Sequence, residues 1–202
     1  MLFDKSDAQL LFISCQKSVL NSSIEADVTA AQWVKLAEIA RIFQLPIWSI
    51  LNLPHLWGEQ METLRPYCPK PIESPAFNAL NVLAPMLNPA HKPSGGNSKS
   101  LPKHLQKPLA PVEPKRPVIV MAGCMVHVGV LQTALELLDS GYEPLVVVDA
   151  CTAMNKKDKD TAFDRLASAG VDLTTVEMLG MEWLLSSNAP ETASVLAQLY
   201  LV

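Results

Sequence analysis

"MAGCMVHVGVLQTALELLDSGYEPLVVVDA", residues 121 to 150, contains the end of a short apolar strand, a turn, a helix and a second strand. The flanking runs "RPVIVMAG" (116–123) and "EPLVVVDA" (143–150) are too short for helices and too uniformly apolar for strands with one wet face. Such runs are typical of a parallel sheet covered on both sides. Between them "VLQTALELLDSG" carries apolar residues at helical spacing and ends on Gly141, where a left-handed C-cap is expected.

Outward from this unit the same alternation continues. "QLLFISC" (9–15) and "LPIWSIL" (45–51) read as strands, and "IEADVTAAQWVKLAEIARIFQ" between them reads as a helix. On the other side "KDTAFDRLASAG" is a helix closed by Gly170, and "VDLTTVE" (171–177) is a further strand. Strands alternating with helices predict a three-layer α/β/α sandwich around a largely parallel sheet, with right-handed crossovers and sites beyond the carboxyl ends of the strands.

Residues 88–117, "NPAHKPSGGNSKSLPKHLQKPLAPVEPKRP", break the rhythm with seven prolines and two adjacent glycines. With no apolar period they have no face to bury, so an exposed inserted loop is expected within a single domain spanning 1–202. An active-site lid, an arm on a neighbouring subunit and a loop without function are all open readings of it.

The chain has 202 residues, 49% of them hydrophobic and 18% charged, with a net charge of -4. That is ordinary for a soluble domain, and no run of Lys or Arg attracts nucleic acid or an anionic membrane. No apolar stretch reaches the roughly 18 residues a membrane span needs, and the opening "MLFDKSDAQLLFISCQ" has acidic residues ahead of its apolar run, unlike a secretory signal. A cytoplasmic location is expected. The four cysteines show no C-x-x-C pair and the four histidines no paired-ligand spacing. Free buried thiols are therefore expected, with no metal and no cofactor.

Within this frame "AGCMVHVGVLQTALELLDSGYEPLVVVDACTA" resembles the isochorismatase-like cysteine hydrolases, whose members read approximately G-x-x-T-[DH]-x-C-V-x-x-T-A, then G-Y and a strand ending in D-A. Gly123, His127, Val130, Thr133, Ala134, Gly141, Tyr142, Asp149 and Ala150 fall in register. "LLFISCQ" is similar to the family's opening V-[IV]-D-x-Q, and "IESPAFNAL" to its E-K-x-x-F-x-A. The likeness is greatest to the YcaC-like and eukaryotic isochorismatase-domain subgroup. It covers nearly everything outside the proline-rich stretch and implies a six-stranded, Rossmann-like sheet.

The resemblance also implies a catalytic set: an Asp base, a Lys and a nucleophilic Cys activated as its thiolate. Their positions here fall on Ser14, Ser74 and Gly129. Members that cleave the vinyl ether of isochorismate dispense with the thiol but keep the Asp and the Lys; this chain keeps neither. A serine hydroxyl has no useful proton affinity at neutral pH, whereas proton transfer by a positioned carboxylate contributes about 10²–10⁴-fold. Pro75 further restricts Ser74 to extended backbone.

Other groups around the expected pocket are Asn52, Phe77, Cys124, Met125 and His127. The family pattern implies a cis peptide from Cys124 to Met125 that aims backbone N–H groups at an oxyanion. Successive strand residues alternate, so if Ser14 faces the pocket, Cys15 faces away. Two functions follow as expectations. In the first, the chain is a catalytically inactive binding or assembly module that forms homo-oligomers and leaves room for a small-molecule ligand. The alternative is a hydrolase of a small amide, imide or vinyl ether that uses relocated residues.

Overall fold

The computed structural model describes residues 2–87 and 115–200. Six strands form one sheet in the order β3-β2-β1-β4-β5-β6: β1 (Ala8–Ile13), β2 (Ile47–Asn52), β3 (Ile72–Ser74), β4 (Val118–Gly123), β5 (Glu143–Cys151) and β6 (Asp172–Thr174). All five pairings are parallel. The expected largely parallel, six-stranded sheet is therefore what forms. β1 and β4 are buried at every residue, as their unbroken apolar runs require.

Alternation along β1 divides the core in two. Leu10 and Phe12 belong to one apolar cluster, Leu11 and Ile13 to another. The first is covered by α1 (Lys17–Asn21), α2 (Ala26–Ile42), α7 (Val176–Leu184) and α8 (Thr192–Tyr200). The second is covered by α4 (Leu80–Leu87), α5 (Leu131–Asp139) and α6 (Lys156–Ser168); the short α3 (Pro54–Trp57) follows β2. Trp33 of α2 is fully buried and ties this helix to β5 by donating its indole N–H to the Ala150 carbonyl at 2.8 Å. Gly141 (φ +81°) and Gly170 (φ +91°) close α5 and α6 in the left-handed region, where the sequence places them.

Two elements lie outside the sequence expectation. β3 is only three residues long, and its pairing with β2 rather than any local pattern makes it a strand. α4 contains Pro85, whose missing N–H argues against a helix, yet Leu83 and Leu87 are buried on it. Of the proline-rich stretch, residues 88–114 lie outside the described residues.

Candidate functional site

The carboxyl ends of β1, β2 and β3 converge. Ser14 leaves β1 with a left-handed backbone (φ +52°), and its hydroxyl donates to Asn52 Oδ1 at 2.8 Å. Asn52, the last residue of β2, donates from Nδ2 to the carbonyls of Ser74 at 3.2 Å and Ala76 at 2.9 Å. The Ser74 hydroxyl joins the cluster by donating to the same Ala76 carbonyl at 2.7 Å. Gln16 braces it from behind: its Oε1 accepts from the Asn52 backbone N–H at 3.1 Å, and its Nε2 donates to the Gly58 carbonyl at 2.6 Å. Ser14, Asn52 and Ser74 are buried, at 2%, 2% and 4% exposure. The cluster is neutral, and both donors of the Asn52 amide are engaged.

Gly129 joins this group from β4's side. A wide π-type turn, Val126–Val130, links β4 to α5, and Gly129 is buried within it. A Cβ built on Gly129 would stand 3.7 Å from Asn52 Oδ1, 3.7 Å from the Phe77 carbonyl and only 2.8 Å from Ile13 Cγ2. Ile13 therefore occupies the space into which a side chain at 129 would project. Its role was hidden in the sequence, since one apolar residue at the end of an apolar strand carries no signal. Phe77 lies on the rim with its ring stacked on Trp57 at 6.0 Å.

The remaining candidates sit elsewhere. Cys124 is fully buried in the first apolar cluster, on the other face of the sheet from Ile13. Met125 is partly buried against that same cluster. The expected cis bond between them is not formed: no peptide bond among the described residues is cis. Met125 instead makes the turn in the left-handed region (φ +49°), and the Cys124 and Val126 N–H groups are taken by the carbonyls of Ile13 (3.1 Å) and Thr152 (2.9 Å). His127 turns toward α6, with Nε2 3.9 Å from Asp158 Oδ2. Cys15 is buried in the first cluster, facing away as alternation requires.

Burial also governs the thiols. It pushes Cys68 and Cys151 up to about 12 and raises Cys15 and Cys124 as well. All four are free and buried, so neither thiolate nor access is offered to a reagent. Maleimide or aryl disulfide reagents at neutral pH should label none of the four in the folded protein within the time that labels all four in denaturant. Stoichiometric native labelling, read by intact mass, would contradict this burial.

Replacing Asn52 with Ala would strand the Ser14 hydroxyl and weaken the tie to the β3 segment. Leaving buried polar groups unpartnered costs about 1–3 kcal/mol each, so a loss of about 2–4 kcal/mol in urea unfolding is expected. A loss below about 1 kcal/mol would show the cluster to be loosely held.

Comparison with known proteins supports the same scaffold. Residues 8–178 match the isochorismatase domain model. The chain belongs to the isochorismatase family. Isochorismatase family protein 2A of Dictyostelium discoideum is 28% identical over 187 residues, covering 92% of this chain and 87% of that protein. Isochorismatase domain-containing protein 2 of Bos taurus is 43% identical over 61 residues, 30% of each chain. Among solved structures, the MAR1 ribonuclease of Caenorhabditis elegans superposes with a TM-score of 0.81 at 22% identity, covering 100% of this chain and 93% of its own. Escherichia coli YcaC, described as an octameric hydrolase of unknown specificity, gives 0.76 at 21% identity over 97% of this chain and 89% of its own. These structural likenesses establish the isochorismatase fold. Ser14, Ser74 and Gly129, the residues that the resemblance sets at the catalytic positions, lie around Asn52.

Proposed function

We propose that this isochorismatase-family chain is catalytically silent and serves as a binding or assembly module. The observation that carries the reading is the buried, uncharged Ser14–Asn52–Ser74 cluster, joined through Asn52, with Ile13 filling the space beside Gly129. The cluster supplies no general base and no cation, and no side chain at 129 reaches it. Hydrolysis of an amide or a vinyl ether needs at least a positioned proton carrier and a stabiliser of developing charge. The alternative, a relocated hydrolase, draws on Cys124, His127 and the turn's N–H groups. Cys124 is on the far face with its thiol pushed up by burial, and the Cys124 and Val126 N–H groups are already bonded.

The test is a panel of isochorismate, nicotinamide and simple aliphatic amides incubated with the unmodified protein. No turnover above the uncatalysed rate is expected. Robust turnover that Cys124→Ser or His127→Ala abolishes, without loss of folding, would replace this reading with the alternative.

Assembly is the second half of the proposal. Met178, Met181 and Leu185 are each exposed by 46% or more and share one face of α7 and its end. Such a stripe suits association with another copy, as in closed homo-oligomers generally. Light scattering at micromolar concentration should give a mass at least double the 22.0 kDa of one chain; a monomer mass would contradict it. No helix among the described residues is long and apolar enough to cross a membrane, and a cytoplasmic location belongs to the same proposal.

A further inference from the structure

The other half of the sheet holds a groove. β5 runs nine residues, but its outer neighbour β6 has three and pairs only with Leu145, Val146 and Val147. Beyond that point β5 continues without a strand at its edge. The notch so left, between α2 on one layer and α6 on the other, is a groove of about 500 Å³, within the range of small-ligand sites. Its apolar walls are Val28, Val148, Phe163 and Leu173, and its polar groups include Asp149, Glu25 and Lys159.

The charges in this groove do not balance. Lys159, with only 14% of its side chain exposed, is committed to Glu25, Nζ to Oε2 at 2.6 Å. Asp149 is left. Its Oδ1 accepts from the Val176 backbone N–H at 3.0 Å and its Oδ2 from Gln32 Nε2 at 3.1 Å, both neutral donors. Among the described residues no cation lies within ion-pair distance of it, and Lys159 and Lys35 act on it only from farther away. Desolvation raises its carboxyl above the usual range, as burial without a cationic partner should. Its own backbone N–H is a third donor, neutral like the other two, so hydrogen bonds but no positive charge meet this carboxylate. A partly buried anion beside an apolar wall is complementary to one kind of ligand, a cation carried on an apolar body.

We propose that the groove between α2, α6 and the β5–β6 edge binds a small organic amine, its ammonium on Asp149 and its apolar part against Val28, Phe163 and Leu173. The site lies on the opposite half of the sheet from Ser14, so it stands whether or not hydrolysis survives.

The experiment uses the full chain with 2-phenylethylammonium as probe and 2-phenylethanol, which has the same body without the charge, as control. Calorimetry measures affinity and amide shifts locate the site. The amine should bind at least about tenfold more tightly than the alcohol, with shifts centred on Val148, Asp149 and Phe163. Asp149→Asn keeps an acceptor for Val176 and removes the charge, so it should abolish the preference for the amine. Val28 is 62% exposed, so Val28→Lys leaves the core intact. It sets a cation at the rim and should weaken amine binding by about tenfold while leaving the melting temperature unchanged. Equal binding of amine and alcohol, shifts confined to another surface, no amine binding at millimolar concentration, or full amine affinity in folded Val28→Lys would each overturn the proposal.

Discussion

Gly123→Ala should yield no folded protein. Gly123 pairs with Ile13 across the two central strands and has φ +152°, where an L side chain is strained. A Cβ there would stand 1.9 Å from the Ile13 carbonyl oxygen and 2.8 Å from its carbon, both backbone atoms of a fully buried strand. No rotamer change relieves such a clash; β1 and β4 must separate, breaking the Cys124 N–H bond to Ile13 and disturbing both apolar clusters. The cost exceeds the roughly 5 kcal/mol beyond which single substitutions are exceptional, and a whole domain has only about 5–15 kcal/mol to lose. Two other glycines calibrate the result. At Gly141 nothing lies within 4 Å of the added Cβ, so only the left-handed backbone at φ +81° resists, about 1–2 kcal/mol. At Gly129 the added Cβ meets the Ile13 side chain, an overpacking worth about 1–3 kcal/mol. Circular dichroism and urea unfolding should rank the three with Gly123→Ala last by a wide margin. A soluble Gly123→Ala protein within about 3 kcal/mol of the parent would show that the β1–β4 contact yields more readily than its geometry implies.

The same contrast explains what the sequence reveals and what it hides. Strands β1, β2, β4 and β5 are legible because a strand covered on both faces must be apolar throughout, and the helix ends are legible because Gly141 and Gly170 carry the left-handed turn. β3 is not legible, since three residues contain no period and only the partner strand defines them. At the site, the sequence shows Ser14, Ser74 and Gly129 where the resemblance expects ionisable groups, but not what these residues contact. Asn52 as the hub joining β1, β2 and β3, and Ile13 as the occupant beside Gly129, depend on distances between segments far apart in the chain. Cys124 and His127 illustrate the converse. Their place next to the turn suggested pocket residues, yet the left-handed Met125 lies between a Cys124 buried in the core and a His127 that meets α6.

On the proposed reading, hydrolysis should appear only when a charged set is installed as a whole and given room. Ser14 already has φ +52°, a conformation that Asp tolerates better than most residues, so Ser14→Asp suits the existing backbone. Introduced alone it places a carboxylate at a position 2% exposed, facing the Asn52 oxygen, and Ser74→Lys alone buries an ammonium at 4% exposure. An uncompensated buried charge costs about 3–5 kcal/mol, whereas the pair compensates each other, so each single variant should be destabilised and inactive and the double variant more stable than either. Gly129→Cys then meets Ile13 Cγ2 at 2.8 Å. Ile13→Leu removes that branch at nearly constant volume, a swap that cores tolerate for less than about 1.5 kcal/mol. The expected result is no measurable turnover by the parent or by any single variant. Ser14→Asp, Ser74→Lys and Gly129→Cys combined with Ile13→Leu should turn over the amide or isochorismate substrates at about 10²–10⁴ times background. The same triple without Ile13→Leu should fall short of this, because a misplacement of about 1 Å costs about 10²-fold. Members of a catalytic set act as a unit, so the gain should be strongly non-additive. Turnover by a single variant equal to that of the full set would contradict the proposal that the uncharged Ser14–Asn52–Ser74 cluster keeps the chain catalytically silent.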